Sequence, residues 1–236
     1  MYFDAPQQEV LDQADRAMVK SIARAGYELD FVQFFNEFKT RIHEYYHERD
    51  TDLIEYTSEF VLRQTLAKFG FPDPPQEHIE QALNALYSVT QTHWQPEDDA
   101  VITLQQLKSD GLRLGLISNA SNANDVDVLI DKGNFCPFFD QILVSAAVGF
   151  RKPHPRMFEL ALDFFKVASH EAVMVGDTLD ADILGANRMQ INSIWITRRV
   201  DAAIHNRQSQ TIRPTAVITA LNQLPKMIRH WPDPQA

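Results

Sequence analysis

Apolar residues in the first ninety positions of the chain recur at helical spacing. They follow the i, i+3, i+4, i+7 pattern that places them on one face of a helix. Four such faces follow one another, at residues 11–25, 31–46, 60–69 and 79–87. Gly70 and the prolines after it end the third helix before the fourth begins. The pattern therefore predicts a four-helix unit.

From about residue 96 the pattern changes to short apolar strands that alternate with helices. Strands are predicted at LRLGLIS, QILVS, AVMV, SIWIT and AVI. Helices are predicted at Asp99–Ser109, Ala123–Lys132, Pro155–Phe165, Asp180–Arg188 and from Thr219. This alternation is typical of a parallel sheet that is covered by helices on both faces. We therefore predict an α/β protein with a helical domain at 1–95 and a Rossmann-like parallel sheet domain at 96–236.

Composition limits the partners that this chain can have. Its formal net charge is −10, whereas nucleic acids and anionic membranes require a basic face, so we expect neither as a partner. We also expect no membrane span and no signal peptide, because no apolar run has the necessary length or flanks. The single cysteine, Cys136, agrees with a reducing compartment. We therefore expect a cytoplasmic protein.

Polar residues cluster directly after three of the predicted strands. Ser118 and Asn119 follow the first strand, the run Arg151–Pro153 follows the second, and Gly176-Asp177 follows the third. Taken singly, these clusters resemble an ordinary helix cap, a loop and a turn. Ligands in parallel sheets, however, bind at the carboxyl ends of the strands. The joint placement of the three clusters predicts one binding site.

The residue types in these clusters favour phosphoryl chemistry. The hydroxyl of Ser118 and the main-chain N–H groups at Ser118 and Asn119 can hold phosphate oxygens, aided by the N-terminus of the following helix. Lys152 can neutralise a phosphate and a neighbouring carboxylate. Asp177 offers the oxygen ligand that Mg²⁺ prefers, and Asp182, five residues further on, would orient that metal shell.

The stretches SNAS, GFRKPHP and VGDTLDADILGA resemble the second, third and fourth motifs of the haloacid dehalogenase superfamily. The resemblance implies a Mg²⁺-dependent phosphatase that acts on a small phosphorylated metabolite, with the four-helix unit as its cap. It implies catalytic roles for Lys152 and Ser118, phosphate binding by Ser118, Asn119 and Lys152, and a metal site at Asp177 and Asp182. His154 departs from the family pattern, because an acidic residue is common at this position.

The first motif of the family, a DxDxT element that carries the nucleophilic aspartate, has no counterpart here. The N-terminus offers only Asp4-Ala5-Pro6-Gln7-Gln8, and just three residues precede Asp4, fewer than a central strand needs. We interpret Asp4 as a residue of the linker to the cap, and we expect the chain to begin just past the motif, through a truncated record or a misplaced start codon. The absent central strand is then expected to leave unpaired edges in the sheet.

Two functions remain open at this stage. One is the Mg²⁺-dependent phosphohydrolase, which for this chain would be incomplete without its nucleophile. The alternative is a non-catalytic relative that binds phosphate or a protein partner in the same pocket. The pattern determines neither the substrate nor the oligomeric state, although an exposed edge of the aromatic helix at 31–46 would suit a homodimer.

Overall fold

A computed structural model describes residues 1–199 and 211–231. Its helices and strands succeed one another along the chain in nearly the predicted order. The helices are α1 (Gln7–Arg24), α2 (Phe31–Asp52), α3 (Ser58–Lys68), α4 (Gln76–His93), α5 (Ala100–Ser109), α6 (Ala123–Lys132), α7 (Ser145–Val148), α8 (Pro155–Phe165), α9 (Leu184–Arg188) and α10 (Leu224–Arg229). The strands are β1 (Tyr2–Phe3), β2 (Trp94–Gln95), β3 (Gly115–Ser118), β4 (Gln141–Val144), β5 (Val173–Gly176), β6 (Asn192–Ile196) and β7 (Ala216–Ile218). A π-helical stretch, Leu179–Ile183, leads directly into α9.

The described residues belong to two units. The first comprises Met1–Glu97 together with Ala120–Gly133, and the second comprises Asp98–Asn119 together with the chain from Asn134 onward. We predicted domains at 1–95 and 96–236. The two units differ from these domains mainly in the segment Ala120–Gly133, which contains α6. That segment groups with the helical unit and not with the strands.

The first unit is held together by the helix faces that the apolar spacing predicts. The side chains of Met18, Ile22, Phe34, Phe38 and Leu62 are fully buried in its core. The side chain of Asp30 caps α2, and that of Thr57 caps α3, so main-chain N–H groups at both helix starts have acceptors. Strand β1 pairs in antiparallel fashion with β2, which ties the N-terminus of the chain to the end of α4.

The second unit contains two parallel ladders. Strand β3 pairs with β4, while β6 lies between β5 and β7. Among the described strands none pairs with the second edge of β3 or of β5. Apolar side chains of α8, β3 and β5 share one core cluster, so both ladders pack on the same helix. The absence of a central strand remains a prediction.

The described helices include none that is long and apolar enough to cross a membrane. The chain has an α/β fold in which the parallel ladders lie in the second unit. This fold brings the carboxyl ends of β3 and β5 into the unit that also carries Lys152.

Candidate phosphate and metal site

All five residues that we predicted for the site lie in the second unit. Ser118 is the last residue of β3, and Asn119 follows it. Gly176 is the last residue of β5, and Asp177 follows it. Lys152 lies in the turn between α7 and α8, while Asp182 lies in the π-helical stretch after β5. Both strand ends are therefore the carboxyl ends at which ligands bind in parallel sheets.

Lys152 and Asp182 form a buried ion pair. The Nζ of Lys152 lies 2.6 Å from Oδ1 of Asp182 and donates a second hydrogen bond of 2.7 Å to the main-chain oxygen of Ile117 in β3. Lys152 is 9% exposed and Asp182 is 4% exposed. An ammonium group has three N–H donors. Two of them are used within the protein, so one N–H of Lys152 remains for a ligand.

The turn after β5 holds the carboxylate of Asp182. Its second oxygen accepts a 3.0 Å hydrogen bond from the main-chain N–H of Thr178. The main-chain N–H of Asp182 in turn donates to the oxygen of Thr178, at 2.8 Å. Gly176 makes this approach possible, because a Cβ at that position would overlap the Asp182 carboxylate. Both oxygens of Asp182 are thus engaged by protein donors.

Asp177 differs from Asp182 because its side chain is exposed. Its Oδ1 accepts one hydrogen bond of 3.2 Å from the hydroxyl of Thr178. Its main-chain oxygen accepts a 2.9 Å hydrogen bond from the indole nitrogen of Trp195, which is buried in β6 opposite Gly176. The main chain at Asp177 is therefore fixed while its carboxylate faces solvent.

Asn119 connects the end of β3 with the turn that carries Lys152. Its Nδ2 donates to the main-chain oxygen of Lys152 at 2.9 Å, and the main-chain N–H of Lys152 donates to Oδ1 of Asn119 at 2.7 Å. Ser118, which is half-buried, lies between Ile117 and Asn119, both of which contact Lys152. Asp182 and Ile117 therefore hold the ammonium of Lys152, Asn119 holds its main chain, and Ser118 lies between Ile117 and Asn119 in the sequence.

These residues fit a magnesium ion with a single protein carboxylate. Mg²⁺ commonly takes one or two carboxylates and completes its octahedron with waters and substrate phosphate. Asp177 fits the role of ligand, whereas the contacts of Asp182 suit a residue that orients its surroundings. Within residues 1–199 and 211–231, no three or more His, Cys, Asp or Glu side chains are arranged to hold a metal ion.

Asp4 lies in the first unit, and hydrogen bonds engage both of its carboxylate oxygens. Oδ1 lies 3.0 Å from Nδ1 of His93, and Oδ2 accepts a 3.0 Å hydrogen bond from the side chain of Gln95. The hydrogen bond with His93 is the main cause that lowers the pKa of Asp4. These contacts reinforce the pairing of β1 with β2, as expected of a residue with a structural role.

One feature of the site was not anticipated from the sequence, the indole of Trp195, whose role depends on the register that places it opposite Gly176. The start of α6, which was expected to help bind phosphate, lies in the first unit. Its N-cap residue Asn122 accepts a 3.0 Å hydrogen bond from the main-chain N–H of Asp125, so one N–H group of this helix start already has an acceptor. Its part in binding phosphate stays a prediction.

Known proteins resemble this chain in sequence. A family model described as haloacid dehalogenase-like hydrolase matches residues 29–196. A protein of Methanopyrus kandleri named glyceraldehyde 3-phosphate phosphatase is 27% identical over 231 residues, which cover 94% of this chain and 94% of the relative. A protein of Thermus thermophilus named phosphoserine phosphatase is 36% identical over 103 residues, which cover 44% of this chain and 40% of the relative.

A solved structure resembles the fold over nearly its whole length. The crystal structure of 2-haloacid dehalogenase from Pseudomonas syringae pv. Tomato DC3000 superposes with a TM-score of 0.66 and 22% sequence identity. The match covers 94% of this chain and 92% of the dehalogenase. At this identity the likeness shows the fold alone, and the chemistry must be argued from the side chains.

Proposed function

Because this chain belongs to the haloacid dehalogenase-like hydrolase family, whose model matches residues 29–196, we propose that it binds a small phosphorylated metabolite for Mg²⁺-dependent hydrolysis. The phosphate would lie at the carboxyl ends of β3 and β5. The relatives named above are a glyceraldehyde 3-phosphate phosphatase and a phosphoserine phosphatase. Both names denote small phosphate monoesters, which supports this substrate class and leaves the particular ester open.

The observation that carries the proposal is the buried ammonium of Lys152 with one N–H still available. Asp182 and the main-chain oxygen of Ile117 accept the other two hydrogens. A cation held in this way requires little reorganisation when an anion arrives, so it is preorganised for phosphate. The hydroxyl of Ser118 at the end of β3 would donate to a second phosphate oxygen.

A magnesium ion fits the proposal at Asp177. When bound, the ion would neutralise charge on the phosphate oxygens. The protein would contribute the exposed carboxylate of Asp177, a main chain fixed by Trp195, and the ammonium of Lys152. Asp182, which accepts a hydrogen bond from the main-chain N–H of Thr178, would hold that ammonium in place.

One observation favours a second candidate, a phosphate-binding protein without catalysis. Formation of an aspartyl-phosphate needs a carboxylate that is free to attack phosphorus. Both oxygens of Asp4 are hydrogen-bonded, to His93 and to Gln95. We therefore propose that Asp4 is not the nucleophile, and that this chain binds phosphate whether or not it hydrolyses the ester.

Binding and hydrolysis can be tested separately. Binding of inorganic phosphate is measured by titration calorimetry with and without MgCl₂, and hydrolysis is measured with p-nitrophenyl phosphate. We expect Lys152→Met to abolish phosphate binding and Asp4→Asn to leave it unchanged. The matched control is Lys108→Met, because Lys108 lies in the same unit and pairs with Asp140 at the surface.

The outcomes separate the two candidates. Hydrolysis that needs MgCl₂ and survives Asp4→Asn supports the phosphohydrolase, and binding without hydrolysis supports the non-catalytic protein. Loss of hydrolysis in Asp4→Asn would overturn the assignment of Asp4. A wild-type chain that binds no phosphate in either buffer would overturn both candidates.

A further inference from the structure

The side chain of Asn119 bonds to both main-chain polar groups of one residue. Its Oδ1 accepts the N–H of Lys152 at 2.7 Å, and its Nδ2 donates to the oxygen of Lys152 at 2.9 Å. This reciprocal pair also fixes which end of the amide is oxygen, because only an oxygen can accept from the Lys152 N–H. The amide plane is therefore directed at the main chain of Lys152.

The same short stretch of chain holds the other end of Lys152. The Nζ of Lys152 donates to the main-chain oxygen of Ile117 at 2.7 Å, two residues before Asn119. Lysine has a flexible four-carbon side chain, so fixing only its tip or only its main chain would leave other rotamers open. With both ends held by residues 117–119, the lysine lies along the strand end and Ser118 lies between the two anchors.

We propose that Asn119 is a positioning residue, whose amide clamps the main chain of Lys152 and so directs its ammonium toward a bound phosphate. The proposal rests on the proposed function in taking phosphate as the ligand. It gives the side chain of Asn119 a role beside the one expected from sequence, in which the main-chain N–H of Asn119 binds phosphate. Phosphate contacts would then come from the side chains of Ser118 and Lys152 and from main-chain N–H groups, while the amide of Asn119 acts through Lys152.

The clamp can be measured without any ligand. Hydrogen exchange of the Lys152 amide reports the bond to Oδ1 of Asn119, and acetylation of Lys152, read by mass spectrometry against the exposed Lys20, reports the burial of the ammonium. In Asn119→Ala we expect both rates to rise by about tenfold or more, as the loss of about one hydrogen bond implies. Asn119→Asp keeps the acceptor, so it should keep the Lys152 amide protected.

Two control variants separate positioning from general damage. Asn187→Ala removes another asparagine of the second unit, whose amide bonds to Arg213 and Ser193, and should leave both Lys152 rates unchanged. Ser118→Ala should weaken phosphate binding, measured by calorimetry with inorganic phosphate, and also leave both rates unchanged. Only Asn119→Ala should combine weaker phosphate binding, by about tenfold, with a loosened Lys152.

Several results would contradict the clamp. Lys152 rates in Asn119→Ala equal to those of the wild type would overturn it outright. Faster rates with unchanged phosphate affinity would overturn the link between the clamp and the ligand. If the wild type binds no phosphate, the proposed function fails, while the exchange and acetylation rates still decide whether Asn119 holds Lys152.

Discussion

Gly176 has no space for a side chain, because the carboxylate of Asp182 lies where the Cβ of residue 176 would be. The glycine ends β5 directly before Asp177, so Asp182 folds back against the strand end that carries the proposed metal ligand. Because residue 176 has no Cβ, the carboxylate of Asp182 can occupy the position from which it pairs with Lys152.

We expect Gly176→Ala to displace Asp182 and to lower the free energy of unfolding by about 1–3 kcal/mol, as overpacking does. Phosphate affinity should fall with it, because Lys152 loses its fixed partner. Urea unfolding and phosphate calorimetry measure the two effects. Gly70→Ala is the control, because the surrounding space is open and only its positive φ, 92°, opposes a side chain, at a cost of about 1 kcal/mol. Unchanged phosphate affinity in Gly176→Ala would contradict the prediction.

Removing one partner of the Lys152 and Asp182 pair should cost more than removing both. Asp182→Leu leaves a buried ammonium without its counter-charge, and we expect a loss of about 3–5 kcal/mol in the free energy of unfolding. The double variant Lys152→Met with Asp182→Leu should recover most of that loss and still bind no phosphate. Chemical denaturation of both variants measures the difference. A double variant as unstable as Asp182→Leu alone would show that the unpaired charge of Lys152 is not the main cause of the lost stability.

Trp195→Phe should weaken magnesium binding through the main chain of Asp177. The phenyl ring keeps most of the buried volume but lacks the N–H that bonds to the Asp177 oxygen, so we expect a loss of about 1 kcal/mol in stability. The rise in melting temperature that MgCl₂ produces should also shrink. Trp94→Phe is the control, because Trp94 lies in β2 of the first unit. Equal magnesium responses in both variants would contradict the role of Trp195.

Asp15 should destabilise the protein above its pKa. Burial raises the pKa of this carboxyl in α1 to about 6, so the folded state binds a proton that the unfolded state releases near pH 4. Stability should therefore fall as pH rises from about 4 to about 6. Asp15→Asn should stabilise the protein at pH 8 by about 3 kcal/mol and have little effect below pH 4.

Asp12, one turn earlier on α1, provides a comparison, because its pKa is lowered where that of Asp15 is raised. The hydrogen bond from Lys39 is the main cause that lowers the pKa of Asp12. Asp12→Asn should therefore destabilise the protein at neutral pH, and the loss should vanish as the pH falls through the pKa of the folded state. Urea unfolding of both variants from pH 3 to pH 8 measures the two trends. An Asp12→Asn variant that is more stable than the wild type at neutral pH would contradict this prediction.

The regular elements were largely predictable because each is specified by neighbours along the chain. The bounds of α6 and α8, Ala123–Lys132 and Pro155–Phe165, match the predicted ones. The predicted helix Asp180–Arg188 differs, because its first turn is π-helical and places Asp182 against Gly176. A hydrophobic pattern cannot report that contact, since Asp182 is polar and the space beside Gly176 depends on the fold.

The residues of the candidate site could be selected from the sequence, and their roles stay predictions, whereas the contacts between them could not be predicted. Position after an apolar strand was enough to select Ser118, Asn119 and Asp177. The pairing of Asn119 with the main chain of Lys152 joins residues 33 positions apart, and no periodicity encodes it. Strand β1 was missed for the same reason, since two residues paired with Trp94–Gln95 give no alternating pattern.

The clamp of Asn119 on Lys152 involves only main-chain atoms of residue 152, and this has an evolutionary consequence. Any residue type other than proline at position 152 offers the same N–H and oxygen, so the loop could keep its path after the lysine is lost. Positions 152 and 182 should then covary in charge across related sequences, while position 119 stays asparagine. A descendant could thus lose phosphate chemistry and retain the loop as a scaffold for another ligand.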